Sequence, residues 1–231
     1  MIKAVIFDLD GTLVNSLNDL AVSTNYSLKQ HGFDTYPVED YKYLIGDGMV
    51  KLIERAIPKD SLNDETFKSV FDCFMAHYRE NFLVKTVAYD GIKEALNTLS
   101  LMGLKLAVVS NKADDMAKRV VFSIFGEGVF DAVSGKREGY PTKPDPTLTL
   151  EIIGDLGVKP QECAVIGDQI FTDVLCASRA GAVAILVKPI PYNENLFFRF
   201  KRVCEKPFIR AYKRREAKKA KKAEKSKENK K

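Results

Sequence analysis

Only four cysteines occur in 231 residues, Cys73, Cys163, Cys176 and Cys204, and no two stand in a CxxC spacing. The histidines number two, His31 and His77, and neither clusters with a cysteine. A zinc site of thiolates and imidazoles is therefore not supported, and the expected thiols are buried or incidental ones in a reducing cytosol. No apolar run approaches the roughly 18 residues that a membrane span needs. The opening "MIKAVIFD" passes straight into a strand pattern without a basic-then-apolar signal, so a cytoplasmic protein is expected.

What is present is an ordinary globular composition, 45% apolar and 29% charged. The length suits one large domain or a core with a smaller insert. The net charge of +5 is unevenly placed. Residues 213–231, "KRREAKKAKKAEKSKENKK", hold 11 Lys or Arg against 3 Glu, which leaves the preceding 212 residues at −3. The body is mildly acidic and the basicity lies in a tail.

Short β-branched runs alternate with longer amphipathic stretches. Expected buried strands are 2–8, 104–110, 131–135, 163–168 and 182–187. Between them "GIKEALNTLSLMG", "KADDMAKRVVFSIFG", "PDPTLTLEIIGDLG" and "TDVLCASRAG" have helical spacing and terminal glycines. Val- and Ile-rich strands each followed by a helix predict an α/β fold, a Rossmann-like parallel sheet with helices on both faces. Its ligand crevice would lie at the carboxyl ends of the strands. From Ser16 to Lys85 only helical patterns occur, and so long a stretch is read as an inserted all-helical cap. The expected division is 1–15 and 86–192 as core, 16–85 as cap, 193–212 as a basic amphipathic segment and 213–231 as a Lys-rich tail.

Four expected strand ends carry polar groups. The first has Asp8, followed by Asp10, Gly11 and Thr12; the second has Ser110 and Asn111; Lys143 precedes "PDP" after the third; the fourth gives Asp168 and Asp173. A parallel sheet brings these ends to one edge. Carboxylates crowded there repel one another unless a cation neutralises them. All are hard oxygen donors, which suits Mg²⁺, and an Mg²⁺ site of this kind suits a phosphate. Lys143 as a point charge and Ser110 as a donor would hold phosphate oxygens. Gly11 would let the backbone turn and present N–H groups to an anion. Asp8, on the rigid strand end, is the candidate nucleophile, and Asp10 the group that moves the proton.

Together these residues resemble the haloacid dehalogenase superfamily: "DLDGTLV", "VVSNK", "TKPDP" and "VIGDQIFTD" are similar to its four motifs, in order, over about residues 2–190. The resemblance implies Asp8 as nucleophile, Asp10 as acid/base, and phosphate ligands among Gly11, Thr12, Ser110, Asn111 and Lys143. It implies Mg²⁺ held by Asp8, the Asp10 carbonyl and Asp168, with Asp173 in support. The second aspartate favours phosphatases and phosphomutases over the metal-free dehalogenases. The insert is similar to the cap of the phosphoglycolate phosphatase-like branch, which would place Gly46, Asp47 and Gly48 at the substrate's non-phosphate end. Two departures stand out: Asn15 replaces the usual aspartate, and Asp173 follows Asp168 by five residues rather than four.

The expected activity is hydrolysis of a small phosphorylated metabolite. A sugar phosphomutase or a pyrophosphatase is the near alternative. In a different class, the tail would bind a polyanion, RNA or an anionic membrane, through counterion release. It carries no interleaved aromatics, so no specific DNA binding is expected. The Phe-rich segment Phe197 to Ile209 fits either a helix packed on the body or one lying on an anionic surface.

Overall fold

The computed structural model describes residues 1–45 and 48–187. Strand β1 (Ala4–Phe7) buries all four side chains. It is the centre of a five-stranded sheet with β4 (Lys105–Ala113), β5 (Ala132–Lys136), β6 (Cys163–Gly167) and β7 (Val183–Leu186), in the order β5-β4-β1-β6-β7. Every pairing is parallel. The strand order reverses across β1, so a crevice opens where β4, β1 and β6 end together.

The apolar runs are continuous because both sheet faces are covered. Val5, Phe7, Leu106 and Val108 pack with Leu96 of α5 (Ile92–Leu101) and Met116 and Val120 of α6 (Asp114–Phe125). Their neighbours Ala4, Ile6, Ala107 and Val109 face the other way, onto Leu148 and Ile152 of α7 (Thr147–Asp155) and Ala177 of α8 (Leu175–Ala180). Period-two alternation thus feeds two cores from one strand.

Between β1 and α5 the chain leaves the sheet and returns. It departs through β2 (Val14–Asn15), forms α1 (Leu17–Gln30), α2 (Tyr41–Leu44), α3 (Met49–Ala56) and α4 (Asp64–Asn81), and comes back through β3 (Val87–Ala88). Asn63 caps α4, its side-chain oxygen accepting the Thr66 N–H at 2.9 Å. One face of α4 is an aromatic ladder: Phe67, Phe71, Phe74, Tyr78 and Phe82 stand in helical spacing with successive ring centroids 5.4–6.3 Å apart. The Ser27 hydroxyl donates to the Val70 carbonyl at 2.6 Å and ties α1 to α4.

The outgoing and returning crossings pair antiparallel, Val14 with Ala88 and Asn15 with Val87. Two-residue strands carry too little periodicity to be read from sequence. Beside them Asp19 is buried, its carboxylate accepting the Lys85 N–H (2.9 Å), the Thr86 N–H (2.8 Å) and the Thr86 hydroxyl (2.8 Å). The start of α1 is thereby bound to the end of the insert. Asn15 starts α1 by accepting the Leu17 N–H at 3.2 Å.

Two expectations are corrected. The second strand runs past residue 110 to Ala113, with a register irregularity after Val109, so Ser110, Asn111 and Lys112 lie on β4 itself. The run 182–187 is buried only at Ala182: β7 is the sheet edge, and Val183, Ile185 and Leu186 are exposed. An edge strand has a neighbour on one side only, which its apolar sequence does not reveal. Cys163 and Cys176 are buried free thiols and Cys73 is half-buried and free. Cys204, the Phe197–Ile209 segment and the Lys-rich tail lie outside the described residues. Among the described residues no helix is long and apolar enough to cross a membrane.

Replacing Asp19 leaves two backbone N–H groups and a hydroxyl without their acceptor. Asp19→Ala is expected to lower unfolding free energy by about 2–4 kcal/mol, read by urea denaturation. A loss under about 0.5 kcal/mol, the range of ordinary surface substitutions, would show that the crossing is held by other contacts.

Candidate active site

The Asp8 N–H donates to the Ile166 carbonyl at 2.8 Å, continuing the β1–β6 ladder and fixing the backbone that carries the carboxylate. Lys143, buried on the connection from β5 to α7, reaches that carboxylate. Its ammonium donates to Asp8 Oδ1 (2.6 Å), Asp173 Oδ1 (2.7 Å) and the Val109 carbonyl (2.9 Å). Three acceptors match its three protons. The Lys143 backbone is clamped by Asn111, whose Oδ1 accepts the Lys143 N–H at 2.8 Å and whose Nδ2 donates to the Lys143 carbonyl at 3.1 Å.

Asp8, Asp168 and Asp173 each bring an oxygen to within 4.8 Å of the others. Burial pushes the Asp8 carboxyl up to about 6; Lys143 opposes the rise and Asp173 adds to it. Burial, then the charges of Asp8 and Asp173, push Asp168 up to about 7. The crowding is built into the backbone by two glycines. A Cβ on Gly11, which has φ +90, would fall 2.8 Å from Asp168 Oδ2. One on Gly167 would collide with the Asp173 Cβ.

The five-residue spacing from Asp168 to Asp173 has a local cause. Residues Ile170–Val174 form a π-helical turn before α8, with the Val174 N–H donating back to the Gln169 carbonyl at 3.2 Å. A π turn takes up one residue more than an α turn. Asp173 is still delivered to Lys143, and its second oxygen accepts the Gln169 N–H at 3.1 Å.

Of the residues expected at a phosphate, Gly11, Ser110, Asn111 and Lys143 line the cavity and Thr12 does not. The Gly11 N–H is spent on the Val14 carbonyl (2.9 Å) and the Thr12 N–H on the Leu9 carbonyl (3.3 Å), because the chain doubles back into β2 immediately after Asp10. Gly11 therefore serves close approach to Asp168 rather than amide donation. The Thr12 hydroxyl is 3.5 Å from Asp168 Oδ1 and does not line the cavity. The Asn111 side chain braces Lys143. Ser110 does line the cavity, its oxygen accepting the Lys112 N–H at 3.1 Å.

Asp10 points into the cavity and is held from two sides. The Ser16 hydroxyl donates to its Oδ1 at 2.5 Å, and the Lys112 ammonium stands 3.2 Å from each of its oxygens. Lys112 also donates to the Tyr78 hydroxyl, at 2.8 Å. Burial pushes the Tyr78 hydroxyl up; burial would lower Lys112, but Asp10 and Tyr78 outweigh it and raise the ammonium. Sequence reasoning missed Lys112, Ser16 and Tyr78. Lys112 alone left a signal, since two residues beyond Ser110 on one strand returns a side chain to the same face.

The cavity is about 180 Å³. Asp8, Asp10, Ser110, Lys143 and Asp168 form its floor, and Leu20, Ile45, Met49 and Leu52 from the insert form an apolar wall. Gly48 lines it with φ +88 at the entry to α3. Gly46 and Asp47 lie outside the described residues.

Known proteins resemble the chain over most of its length. A family model described as haloacid dehalogenase-like hydrolase matches residues 5–187. The phosphoglycolate phosphatase of Aquifex aeolicus is 34% identical over 184 residues, covering 80% of this chain and 84% of that protein. That of Pasteurella multocida is 34% identical over 200 residues, covering 84% and 88%. The crystal structure of a protein from Haemophilus somnus, described as a "predicted phosphoglycolate phosphatase", superposes with a TM-score of 0.74 at 30% identity, covering 84% of this chain and 89% of that one. With its motifs in order on a parallel sheet, the chain belongs to the haloacid dehalogenase-like hydrolase family.

Proposed function

We propose that this protein is an Mg²⁺-dependent phosphatase that hydrolyses a small phosphate monoester through a phosphoryl group carried on Asp8. The observation that supports this most is the placement of Asp8: a carboxylate fixed at a strand end, paired with the buried Lys143 ammonium, with Asp168 and Asp173 close enough to share a cation.

The donor set fits Mg²⁺, being all oxygen, with three carboxylates close enough that a divalent ion relieves their repulsion. Asp8 and Asp168, with the Asp10 carbonyl, would hold the ion and Asp173 would support it. When bound, it supplies positive charge to the phosphoryl oxygens. The Lys143 charge and the Ser110 hydroxyl would hold the remaining oxygens.

An Asp8 oxygen attacks phosphorus and the bond to the substrate's alcohol oxygen breaks. Asp10 gives that oxygen its proton. Asp10 then takes a proton from water, the water oxygen attacks phosphorus, and the bond to Asp8 breaks to free inorganic phosphate. Both carboxyls end as they began. Positioning and charge neutralisation carry most of the acceleration in such transfers.

The helical insert, residues 16–85, would act as the cap that excludes water from this reaction. The cavity is smaller than the roughly 300–1,000 Å³ of pockets for drug-sized ligands, which supports a small substrate. Phosphoglycolate is the first choice, from the names of the relatives. Free thiols at Cys73, Cys163 and Cys176 suit the cytoplasm.

Two outcomes are expected. Phosphate release from phosphoglycolate should require Mg²⁺, stop with EDTA and fall to background in Asp8→Asn. Pyrophosphate, hexose 1-phosphates and nucleoside monophosphates assayed beside it rank the substrates, and isomerisation of the hexose phosphate would instead indicate a mutase. Independently, Mg²⁺ binding by calorimetry should depend on pH. The raised carboxyls at Asp8 and Asp168 keep protons in the folded state between about pH 4 and 7, where the unfolded chain has lost them. Their contribution to metal-free stability therefore falls as pH rises through that window. Mg²⁺ must displace the same protons, so affinity should rise from pH 5 to about 7.5 and then level. Affinity unchanged over that range would contradict the cluster as the Mg²⁺ site.

A further inference from the structure

The contact that the reaction above does not use is the one between Lys112 and Tyr78. We propose that Lys112 is a positioning residue for Asp10 and that Tyr78, on α4 of the insert, seats Lys112, so that the insert sets the orientation of the proton-transferring carboxylate through one buried chain of hydrogen bonds. The inference rests on the reading of Asp10 given above.

The geometry is that of an oriented group. The Lys112 ammonium stands 3.2 Å from both Asp10 oxygens, straddling the carboxylate and fixing its plane. It also donates to the Tyr78 hydroxyl at 2.8 Å, with the ring centroid 5.1 Å from the nitrogen. The Lys112 side chain is 4% exposed, against 31% for Asp10. An ammonium so far from water depends on its partners, and losing one leaves a buried charge short of an acceptor.

Both ends of the chain are rigid. Lys112 lies on β4, with its carbonyl so close to β5 that a Cβ on Gly135 would fall 2.5 Å from it. Tyr78 is fully buried, stacked on Phe74 at 5.4 Å and against Phe82 at 5.9 Å in the α4 ladder. Lys112 belongs to the sheet, Asp10 to the turn directly after β1 and Tyr78 to the insert, so displacement of α4 removes the lysine's support. The second contact to Asp10 acts in the same sense: Ser16 immediately precedes α1 and moves with the outgoing crossing. Asp10 is therefore oriented for proton transfer only while the insert is seated.

A positioning role and a merely structural one differ in leaving-group dependence. An alkyl phosphate needs its leaving oxygen protonated; a nitrophenyl phosphate does not. First-turnover cleavage of phosphoglycolate and of p-nitrophenyl phosphate, measured by rapid quench in the full-length protein with Mg²⁺, separates them. Tyr78→Phe, which keeps the ring and removes only the hydroxyl, should slow the alkyl cleavage about 10-fold and the aryl cleavage several-fold less. Lys112→Met should show the same bias more strongly, and Lys112→Arg should recover part of it. Equal slowing of both substrates, or none, in a variant whose thermal unfolding shows it folded would overturn the inference; Tyr78→Phe decides if Lys112→Met does not fold. Wild-type protein that cleaves neither substrate, or an Asp8→Asn variant as active as wild type, would instead overturn the phosphatase reading, and this inference with it.

Discussion

One ammonium makes the end of the sheet tenable. Asp8, Asp168 and Asp173 converge within 4.8 Å, and burial, with the charge of neighbouring carboxylates, pushes Asp8 and Asp168 toward neutrality. Lys143 offsets this by bonding Asp8 and Asp173 at once, its third proton on the Val109 carbonyl. Much of the local backbone serves that arrangement. Asn111 holds the lysine's peptide from β4, Gly11 and Gly167 make room for the neighbouring carboxylates, and a π turn brings Asp173 into reach. A cluster with one cation for three carboxylates is suited to accept a second cation, and this is the physical basis for proposing an Mg²⁺ site there.

The insert is joined to this end by short, specific contacts. Two crossings pair as β2 and β3, and Asp19 locks the first helix to the last residues of the insert with contacts from both carboxylate oxygens. From there the insert reaches the floor twice, through Ser16 at Asp10 and through Tyr78 at Lys112. Its remaining contribution is the apolar wall of Leu20, Ile45, Met49 and Leu52. Charged groups thus lie on the sheet side of the cavity and an apolar wall on the helical side, a division that would suit the proposed phosphoryl transfer by strengthening electrostatic interactions there.

The sequence reveals this site where a general rule connects distant residues, and hides it where only packing does. Asp8, Ser110, Lys143 and Asp168 could be brought to one edge because parallel strands end together, and a strand's end is visible as the close of an apolar run. No comparable rule links Tyr78 to Lys112 across 34 positions or Asp19 to Thr86 across 67. The turn after Asp10 misled for a related reason: a glycine announces an unusual backbone without saying whether its N–H faces a ligand or, as at Gly11, the Val14 carbonyl. The exposure of β7 was hidden because an edge strand and a central one can share a composition. The π turn was visible only as an odd spacing, and its meaning needed the hydrogen bond from Val174 to Gln169.

The central claim is that Asp8 carries the phosphoryl group. The most direct test is to quench the wild-type protein during turnover of phosphoglycolate with Mg²⁺, reduce the acyl phosphate with tritiated borohydride, which expels phosphate and leaves labelled homoserine, and map the labelled peptide. Modification confined to Asp8, and absent in EDTA, is the result expected. Turnover with no trapped intermediate, or with the label on another residue, would contradict the account.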